Sequence, residues 1–510
     1  MTASRRDLVL SAASGLVLGA AFLPAPLGWL AWFAFVPLLS ALERRLGAGE
    51  GPRSWYALGY VGGFAFFLSG THWIALLSDV AMAVPPLKYA GWVLAGAYLA
   101  NFWALAVLLA GWLARRSGIP ARWTFVVAMM AVEEFRGAGD LGFPWFQPGY
   151  TQSVLPPLGL AALGGVTLVT LWVLLLNAAA RGWWARRNAV SAVIAIAVLA
   201  AGAGGGAWVR SRPLPATTGP AIGLIQGNIA GEIKWSGRHQ GEIIARFLQL
   251  SDSALAGRPP ADRPVMVIWP ETATGSYLRK QLEQSITLAR WASGRGVAIL
   301  SGYADYSYDA EGKPLPWNAA GMWLADGHLS PTYAKRHLVP FGERMPFQSL
   351  FPALGKLEFG QAEWMPGGGP VVFRGAIGAF STLICFESIF PGLARADVLA
   401  GSRCLVVVTN DEWFGRSAAV HQHAAMAPFR AVENGVPLLR CANTGLTQVI
   451  DAHGRVVASA PAFEPAVLTA RVPPALPGRT PWTRWGDWPG ALSLAVLVAL
   501  LFVRRTTRAA

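Results

Sequence analysis

Long uninterrupted apolar runs dominate both ends of the chain, and short ones separated by polar residues fill the stretch between them. Residues 155–177 and 188–209 hold no charged side chain, and each run is long enough to cross the roughly 30 Å hydrocarbon core of a bilayer as a helix. Runs of this kind near 8–23, 28–42, 55–77, 86–113, 121–138, 157–180, 188–208 and 487–503 predict about eight spanning helices. The first two and the last are short: they are tilted neighbours, a re-entrant pair around Pro24 and Pro26, or one span counted too many.

From about 215 to 472 the period shortens. Apolar runs near 221–226, 264–269, 296–301, 318–324, 381–385, 403–409, 437–442 and 447–451 predict strands, and amphipathic stretches near 239–255, 276–294 and 419–433 predict helices. That alternation is the mark of an α/β domain. Pro213, Pro215 and Pro220 mark its entrance, and Pro473, Pro474, Pro477 and Pro481 its exit. The expected organisation is therefore a seven-helix membrane region (1–212), an α/β domain (213–472), and a linker with a last membrane helix (473–510). Both linkers are short, which holds the domain close to the membrane surface.

Composition agrees with the pattern. With 54% hydrophobic and only 14% charged residues in 510, the chain is too apolar for a wholly soluble enzyme. Its arginines fall in alternate connections: Arg5 and Arg6; Arg44, Arg45 and Arg53; Arg115, Arg116 and Arg122; Arg181, Arg186 and Arg187; Arg504, Arg505 and Arg508. Positive-inside logic then puts both termini in the cytoplasm and the α/β domain on the opposite face. These turns absorb much of the +14 formal charge, and the α/β part has no basic stripe interleaved with aromatics, so no nucleic-acid partner is expected. The start, Ser4-Arg-Arg-Asp-Leu-Val-Leu10, is like a twin-arginine export signal, but further spans follow at once and a retained first helix is the reading adopted.

Three residues in the α/β domain carry the chemistry. Gly378-Ala-Phe-Ser-Thr-Leu-Ile-Cys-Phe-Glu387 reads as a buried strand delivering Cys385 to a sharp turn; Val265-Met-Val-Ile-Trp-Pro-Glu-Thr-Ala273 puts Glu271 just past another strand; Tyr333-Ala-Lys-Arg-His337 supplies Lys335. A carboxylate can take a thiol proton, a thiolate can attack a carbonyl, and an ammonium can hold the resulting oxyanion and favour the thiolate. Cys404 and Cys441 read as inert buried thiols in strands. His421 and His423 have the spacing of a zinc pair, but without a third ligand motif they read as a solvated or packed pair.

These segments resemble the Glu-Lys-Cys triad of the nitrilase superfamily. Together with Gln226-Gly-Asn-Ile-Ala230, Trp235, Val339-Pro-Phe-Gly-Glu343 and Thr409-Asn-Asp-Glu-Trp-Phe-Gly415, they narrow the resemblance to the apolipoprotein N-acyltransferase family over essentially the whole chain. The resemblance implies a nitrilase-like αββα sandwich inserted in an eight-helix transmembrane bundle, on the periplasmic face of the bacterial inner membrane. It implies Glu271, Lys335 and Cys385 as catalytic residues, with Glu343 supporting the lysine. It further implies a phospholipid acyl donor, a thioester on Cys385, a diacylated apolipoprotein whose N-terminal amine accepts the acyl chain, and no cofactor, neither ATP nor metal.

Other residues keep more than one reading. Glu387 orients the turn, binds substrate, or makes a structural salt bridge; Trp235, Trp413 and Phe414 line the site or pack. Phe386 stands where many members of the superfamily have Tyr, so a role for that hydroxyl is not carried over. The apolar segment after Glu343, with Phe347, Leu350, Phe351, Leu354, Leu357, Phe359 and Trp364 before Gly367-Gly-Gly369, is a lid or lipid-facing loop, or ordinary core with a flexible turn. Glu133, Glu134 and Arg136 close a span, where charges need partners or an interface; the Gly142-Phe-Pro-Trp-Phe146 run that follows is a supporting loop or an aromatic anchor. The competing functions are a membrane-tethered amidase or nitrilase whose thioester goes to water, and a transporter or sensor that has lost catalysis.

Overall fold

The computed structural model describes residues 3–24, 26–78, 85–217, 219–356 and 363–503; Leu357, Phe359, Arg504, Arg505 and Arg508, singled out above, lie outside them. The chain divides into two compact units, one made of Met1–Leu76, Pro86–Arg212 and Arg484–Ala510, the other of Leu77–Pro85 and Pro213–Thr483.

The first unit is helical. Its long helices are Ala3–Ala20, Pro52–Gly70, Leu87–Ser117, Ala121–Arg136, Ala161–Arg186 and Ala189–Arg210, with shorter ones at Val36–Gly47 and Trp488–Phe502. Among the described residues, three helices are long and apolar enough to cross a membrane: Leu87–Ser117, Pro156–Arg186 and Ala189–Arg210. The segment expected as a second span, 28–42, is divided between a 3-10 turn at Gly28–Trp32 and the helix from Val36. Several of the basic residues at the helix ends are paired: Asp7 receives Arg44 at 2.5 Å, and Glu43 receives both Arg122 at 3.0 Å and Arg181 at 2.8 Å. Arg136 pairs with Glu133 and donates to the Phe143 carbonyl, which satisfies the buried charges at the start of the Phe-Pro-Trp run.

The second unit is a sandwich of two six-stranded sheets. The first sheet is built from β1 (Ala221–Gln226), β2 (Met266–Ile268), β3 (Ala298–Tyr308), β4 (Pro314–Trp323) and β5 (Tyr333–Ala334). The second holds β6 (Phe373–Gly375), β7 (Gly378–Ile384), β8 (Leu405–Thr409), β9 (Leu438–Ala442), β10 (Thr447–Ile450) and β11 (Val456–Ala460). The last strand, β12 (Ala466–Arg471), returns to the first sheet and pairs antiparallel with β1. The sheet orders are β12-β1-β2-β3-β4-β5 and β11-β10-β9-β8-β7-β6, each with a parallel centre, β1-β2-β3 and β7-β8-β9.

Side-chain alternation along the strands makes the layers. Ile222, Leu224, Met266, Ile268 and Leu300 from one sheet meet Ile384, Val406, Val408, Leu439 and Cys441 from the other in the central core. The alternate positions Ile225, Val267 and Ile299 pack outward with Phe247 and Leu288 of the helices Gln240–Leu255 and Leu282–Arg295. Leu383, Leu405 and Val407 do the same against Ala394 and Val398 of Pro391–Leu399 and Ala427 and Ala431 of Ala427–Asn434. Helix, sheet, sheet, helix is thus the layer order. The helix expected over 419–433 is two, Ala418–Ala424 and Ala427–Asn434; Pro428, which lacks an N–H to continue the first, opens the second.

Candidate active site

Glu271 and Cys385 lie just beyond the carboxyl ends of the parallel strands β2 and β7, the usual place for ligands in open α/β sheets, and Lys335 follows the antiparallel edge strand β5. β7 ends at Ile384, and Cys385 follows with φ 52°, opening the 3-10 turn Cys385–Ile389. A left-handed backbone at a residue with a Cβ costs about 1–2 kcal/mol, so the surrounding structure must hold it. It turns the chain sharply and leaves Cys385 half-buried, packed against the central core.

Glu387 is what ties this turn down. It is fully buried; one carboxylate oxygen accepts the Ile384 N–H at 2.7 Å, and the other accepts the Arg336 and His337 N–H groups at 2.6 and 3.2 Å. The Tyr333 hydroxyl donates to the same carboxylate at 2.8 Å. One acid therefore fixes both the Cys385 turn and the segment that carries Lys335. Arg336 extends the brace by donating to both oxygens of Asp397 at 3.0 Å.

Lys335 is 1% exposed, and its Nζ lies 2.8 Å from Glu343 and 3.5 Å from Glu271. Asn318 spans the two acids, donating to Glu271 at 2.8 Å and to Glu343 at 3.1 Å. The other Glu271 oxygen accepts the Asn410 N–H at 2.8 Å, and the other Glu343 oxygen accepts the Val339 N–H, also at 2.8 Å. Gly367 packs on this segment. It donates to the Lys335 carbonyl at 2.8 Å, and a Cβ there would stand 2.2 Å from the Ala334 carbonyl oxygen, so at least this glycine serves close approach rather than flexibility.

The electrostatics are divided. Burial, then the charge of Glu271, push the Cys385 thiol well above its ordinary value, with Lys335 and a hydrogen bond from Thr409 pulling the other way. Burial also opposes the charge on Lys335, but Glu343, Glu271 and Cys385 outweigh it, so the amine stays protonated. The resting pair is a neutral thiol beside a held ammonium, in reach of a carboxylate's field. Cys404 and Cys441, 3% and 0% exposed, are pushed up to about 12 by burial and are inert.

Further polar groups adjoin the Cys385 turn, of which Ser388 and Arg440 gave no sign in sequence. Ser388 donates to the Cys385 carbonyl at 2.8 Å and contacts His423 Nε2 at 2.9 Å; His423 Nδ1 meets Asp411 at 2.9 Å; Arg440 donates to Asp411 at 2.6 Å. The contact order serine, histidine, aspartate is that of a nucleophile relay, but all three are at most 1% exposed, and Ser388 is spent on the backbone of the turn. His423 is therefore packed while His421 is exposed, and among the described residues no cluster of three or more His, Cys, Asp or Glu has the arrangement of a metal site. Lys234, in the short helix Gly231–Lys234, is fully buried with Glu271 and Cys385 acting on its charge. Trp235 and Trp413 are 46% and 42% exposed, not core residues; Phe386 is buried against Phe390 and His337.

Residues 222–481, the two-sheet sandwich and its flanking helices, match the family model "Carbon-nitrogen hydrolase", which gives the class of this domain. Residues 14–179 match the model of the apolipoprotein N-acyltransferase N-terminal domain. An apolipoprotein N-acyltransferase from Geobacter metallireducens is 34% identical over 98% of this chain and 96% of its own, and one from Azotobacter vinelandii is 35% identical over 93% and 92%. The chain belongs to the apolipoprotein N-acyltransferase family. Among solved structures, an amidase of the nitrilase superfamily from Nesterenkonia sp. AN1 aligns with 56% of this chain and 99% of its own at 19% identity and a TM-score of 0.39.

Proposed function

We propose that this protein moves a fatty acyl chain from a phospholipid, through a thioester on Cys385, to the N-terminal amine of a diacylglyceryl-cysteine lipoprotein. Glu271 takes the thiol proton, the thiolate adds to an ester carbonyl, and Lys335 with backbone N–H groups stabilises the oxyanion. Collapse breaks the ester C–O bond, the departing oxygen takes the proton back from Glu271, and a lysophospholipid leaves. The lipoprotein amine, once neutral, adds to the thioester, Glu271 accepts its proton, and the thiolate is expelled as the amide forms.

The observation that carries this reading is Cys385 in a left-handed turn at a strand end, with buried Glu271 and Lys335 acting on its thiol and Glu343 paired with the lysine. Family membership supports the choice of acyl transfer to an amine over hydrolysis. Glu343 holds the lysine, Glu387 positions it, and the half-exposed Trp235 and Trp413 contact substrate.

The eight-helix reading belongs to the same proposal. Residues 1–212 and 473–510 anchor the catalytic domain, 213–472, on the periplasmic face of the inner membrane, with both termini cytoplasmic. Two bilayer-anchored substrates then meet a thiol at raised effective concentration.

The test is the intact mass of detergent-purified protein after incubation with phospholipid, alongside Cys385→Ala, followed by a diacylated lipopeptide. An acyl-sized gain on the wild type only, discharged onto the peptide amine, is the expected outcome. Discharge to water at the same rate with or without the lipopeptide would make it a hydrolase.

A further inference from the structure

Lys234 is 0% exposed, and its Nζ has no hydrogen-bond partner. Nζ lies 5.8 Å from the centroid of the Trp235 ring, a cation–π contact that fills none of its N–H groups. A buried ammonium without a hydrogen-bond acceptor is costly, because it gives up hydration for little. Structural lysines escape that cost by reaching solvent or a carboxylate. Here Glu412, the carboxylate acting most strongly on Lys234, accepts the Gly231 N–H, and no hydrogen bond joins it to Lys234.

The position is built, not accidental. Gly275, four residues past Glu271, has φ 63°, and a Cβ on it would lie 2.8 Å from Lys234 Cγ and 2.3 Å from the Lys234 carbonyl oxygen. The loop leaving Glu271 is thus closed over the lysine stem. The groups acting on the charge are Glu412, Glu271 and Cys385.

The movement of charge says what such a group is for. Glu271 and Glu343 share the cation Lys335. When Glu271 takes the thiol proton and the thiolate adds to a carbonyl, the negative charge that Glu271 gives up reappears on the carbonyl oxygen, a new position that needs donors of its own. We propose that Lys234 is a second cation of the acyl-transfer site, donating its unfilled N–H groups to the oxygen that becomes negative when Cys385 adds to an acyl carbonyl. This rests on the acyl-transfer reading of Cys385. As the C–S bond forms, the carbonyl π pair moves onto that oxygen; on collapse the pair returns and the ester C–O bond breaks. Lys234 gains its missing acceptor only in that state, so it stabilises the transition state more than the resting site.

The test follows Cys385 acylation in the full-length protein by intact mass, with neutral p-nitrophenyl butyrate and with phosphatidylethanolamine in mixed micelles as separate probes. Lys234→Met should slow acylation by both about 100-fold, the usual cost of one oxyanion donor, and Lys234→Arg should recover part of it. Because methionine removes a buried unpaired charge, the melting temperature should hold or rise. A fall in melting temperature with no recovery by arginine would make Lys234 structural and overturn the proposal. Equal rates for Lys234→Met and wild type would also overturn it, as would slowing with the phospholipid alone, which would assign the cation to the phosphate headgroup. Wild type left unacylated by either probe would sink the acyl-transfer reading and this proposal with it.

A pH profile adds an arm that a packing role would not move. Burial lowers Lys234 to about 8, with Glu412, Glu271 and Cys385 opposing. Acylation by the neutral ester should therefore decline as pH rises through about 8 in the wild type, and Lys234→Arg should shift that decline upward; an unmoved limb counts against the proposal.

Discussion

Two buried polar clusters adjoin the Cys385 turn, and they are balanced differently. In one, Glu271, Glu343 and Lys335 crowd together, with Lys234 acting on the same thiol and left without a hydrogen-bond partner. In the other, Arg440 holds Asp411 at 2.6 Å, His423 holds it at 2.9 Å, and Ser388 passes the contact to the Cys385 carbonyl. Burial should raise Asp411, yet Arg440 and His423 outweigh it and keep the carboxyl well below its usual range, while burial and Arg440 keep His423 low. In the second cluster Ser388, His423 and Asp411 all have partners at rest and one Arg440 nitrogen, Nη1, is left over; in the first the whole Lys234 ammonium is left over, beside the thiol. Spare capacity beside a thiol is what a reaction needs, and partners at rest are what a support needs.

The sharpest way to break that contrast is to remove the reacting groups themselves. Cys385→Ala should abolish acylation, and Glu271→Gln should slow it on the order of 10⁴-fold, both read by intact mass with phospholipid. Neither should lower the melting temperature by more than a degree or two. A Glu271→Gln protein that forms the thioester at the wild-type rate would remove the carboxylate from the mechanism.

The opposite profile is expected of the Asp411 cluster. Asp411→Ala leaves Arg440 buried without its counter-charge and should cost about 3–5 kcal/mol of stability, seen as an early denaturation midpoint. Acylation per folded molecule should change less than tenfold. The pH sign follows from the depressed carboxyl: its contribution is fully present above the unfolded value near 3.8 and is lost as pH falls toward the folded one. Asp411→Asn should therefore flatten the acid side of the stability profile. Full stability with lost turnover would reverse the assignment of the two clusters.

Glu387 sits between these cases, because it touches no reacting atom yet braces two segments that carry them. Replacing it by Gln keeps the volume but turns one acceptor oxygen into an N–H₂, set either against the Ile384 N–H or against the Arg336 and His337 N–H groups. The expected result is a drop in kcat of about 100-fold with KM nearly unchanged, because misplacing a catalytic group by about 1 Å is enough for that. A change confined to KM would make Glu387 a substrate contact instead.

How much of this was legible in the chain depends on the reach of each signal. Strand ends are local: β1 was expected over 221–226 and observed there, and Glu271 and Cys385 follow apolar runs that any reader of periodicity would stop at. The edge strands β5 and β6, of two and three residues, are too short to carry a period, and β11 is exposed along most of its length. The polar clusters were illegible for a different reason. Asp411 and Arg440 are 29 residues apart, Glu387 and Tyr333 are 54 apart, and nothing local distinguishes a buried partner from a surface charge. Lys234 is the extreme case: beside Trp235 it reads as an ordinary surface lysine, and only the fold reveals that it is sealed in.

The smallest expected effect concerns the loop after Glu343, which the sequence left open between lid and core. The loop splits: Trp364 is buried, while Phe347, Leu350 and Phe351 are exposed, the last at 62%. Three large apolar side chains in solvent are an expensive surface for a soluble domain and a natural one for a domain that works on lipid. Phe351→Asp with Leu354→Asp should therefore slow turnover of phospholipid several-fold, leave acylation by p-nitrophenyl butyrate unchanged, and leave the melting temperature within a degree. Equal loss with both donors would mean that the loop shapes the site itself, and unchanged turnover of phospholipid would remove it from lipid capture altogether.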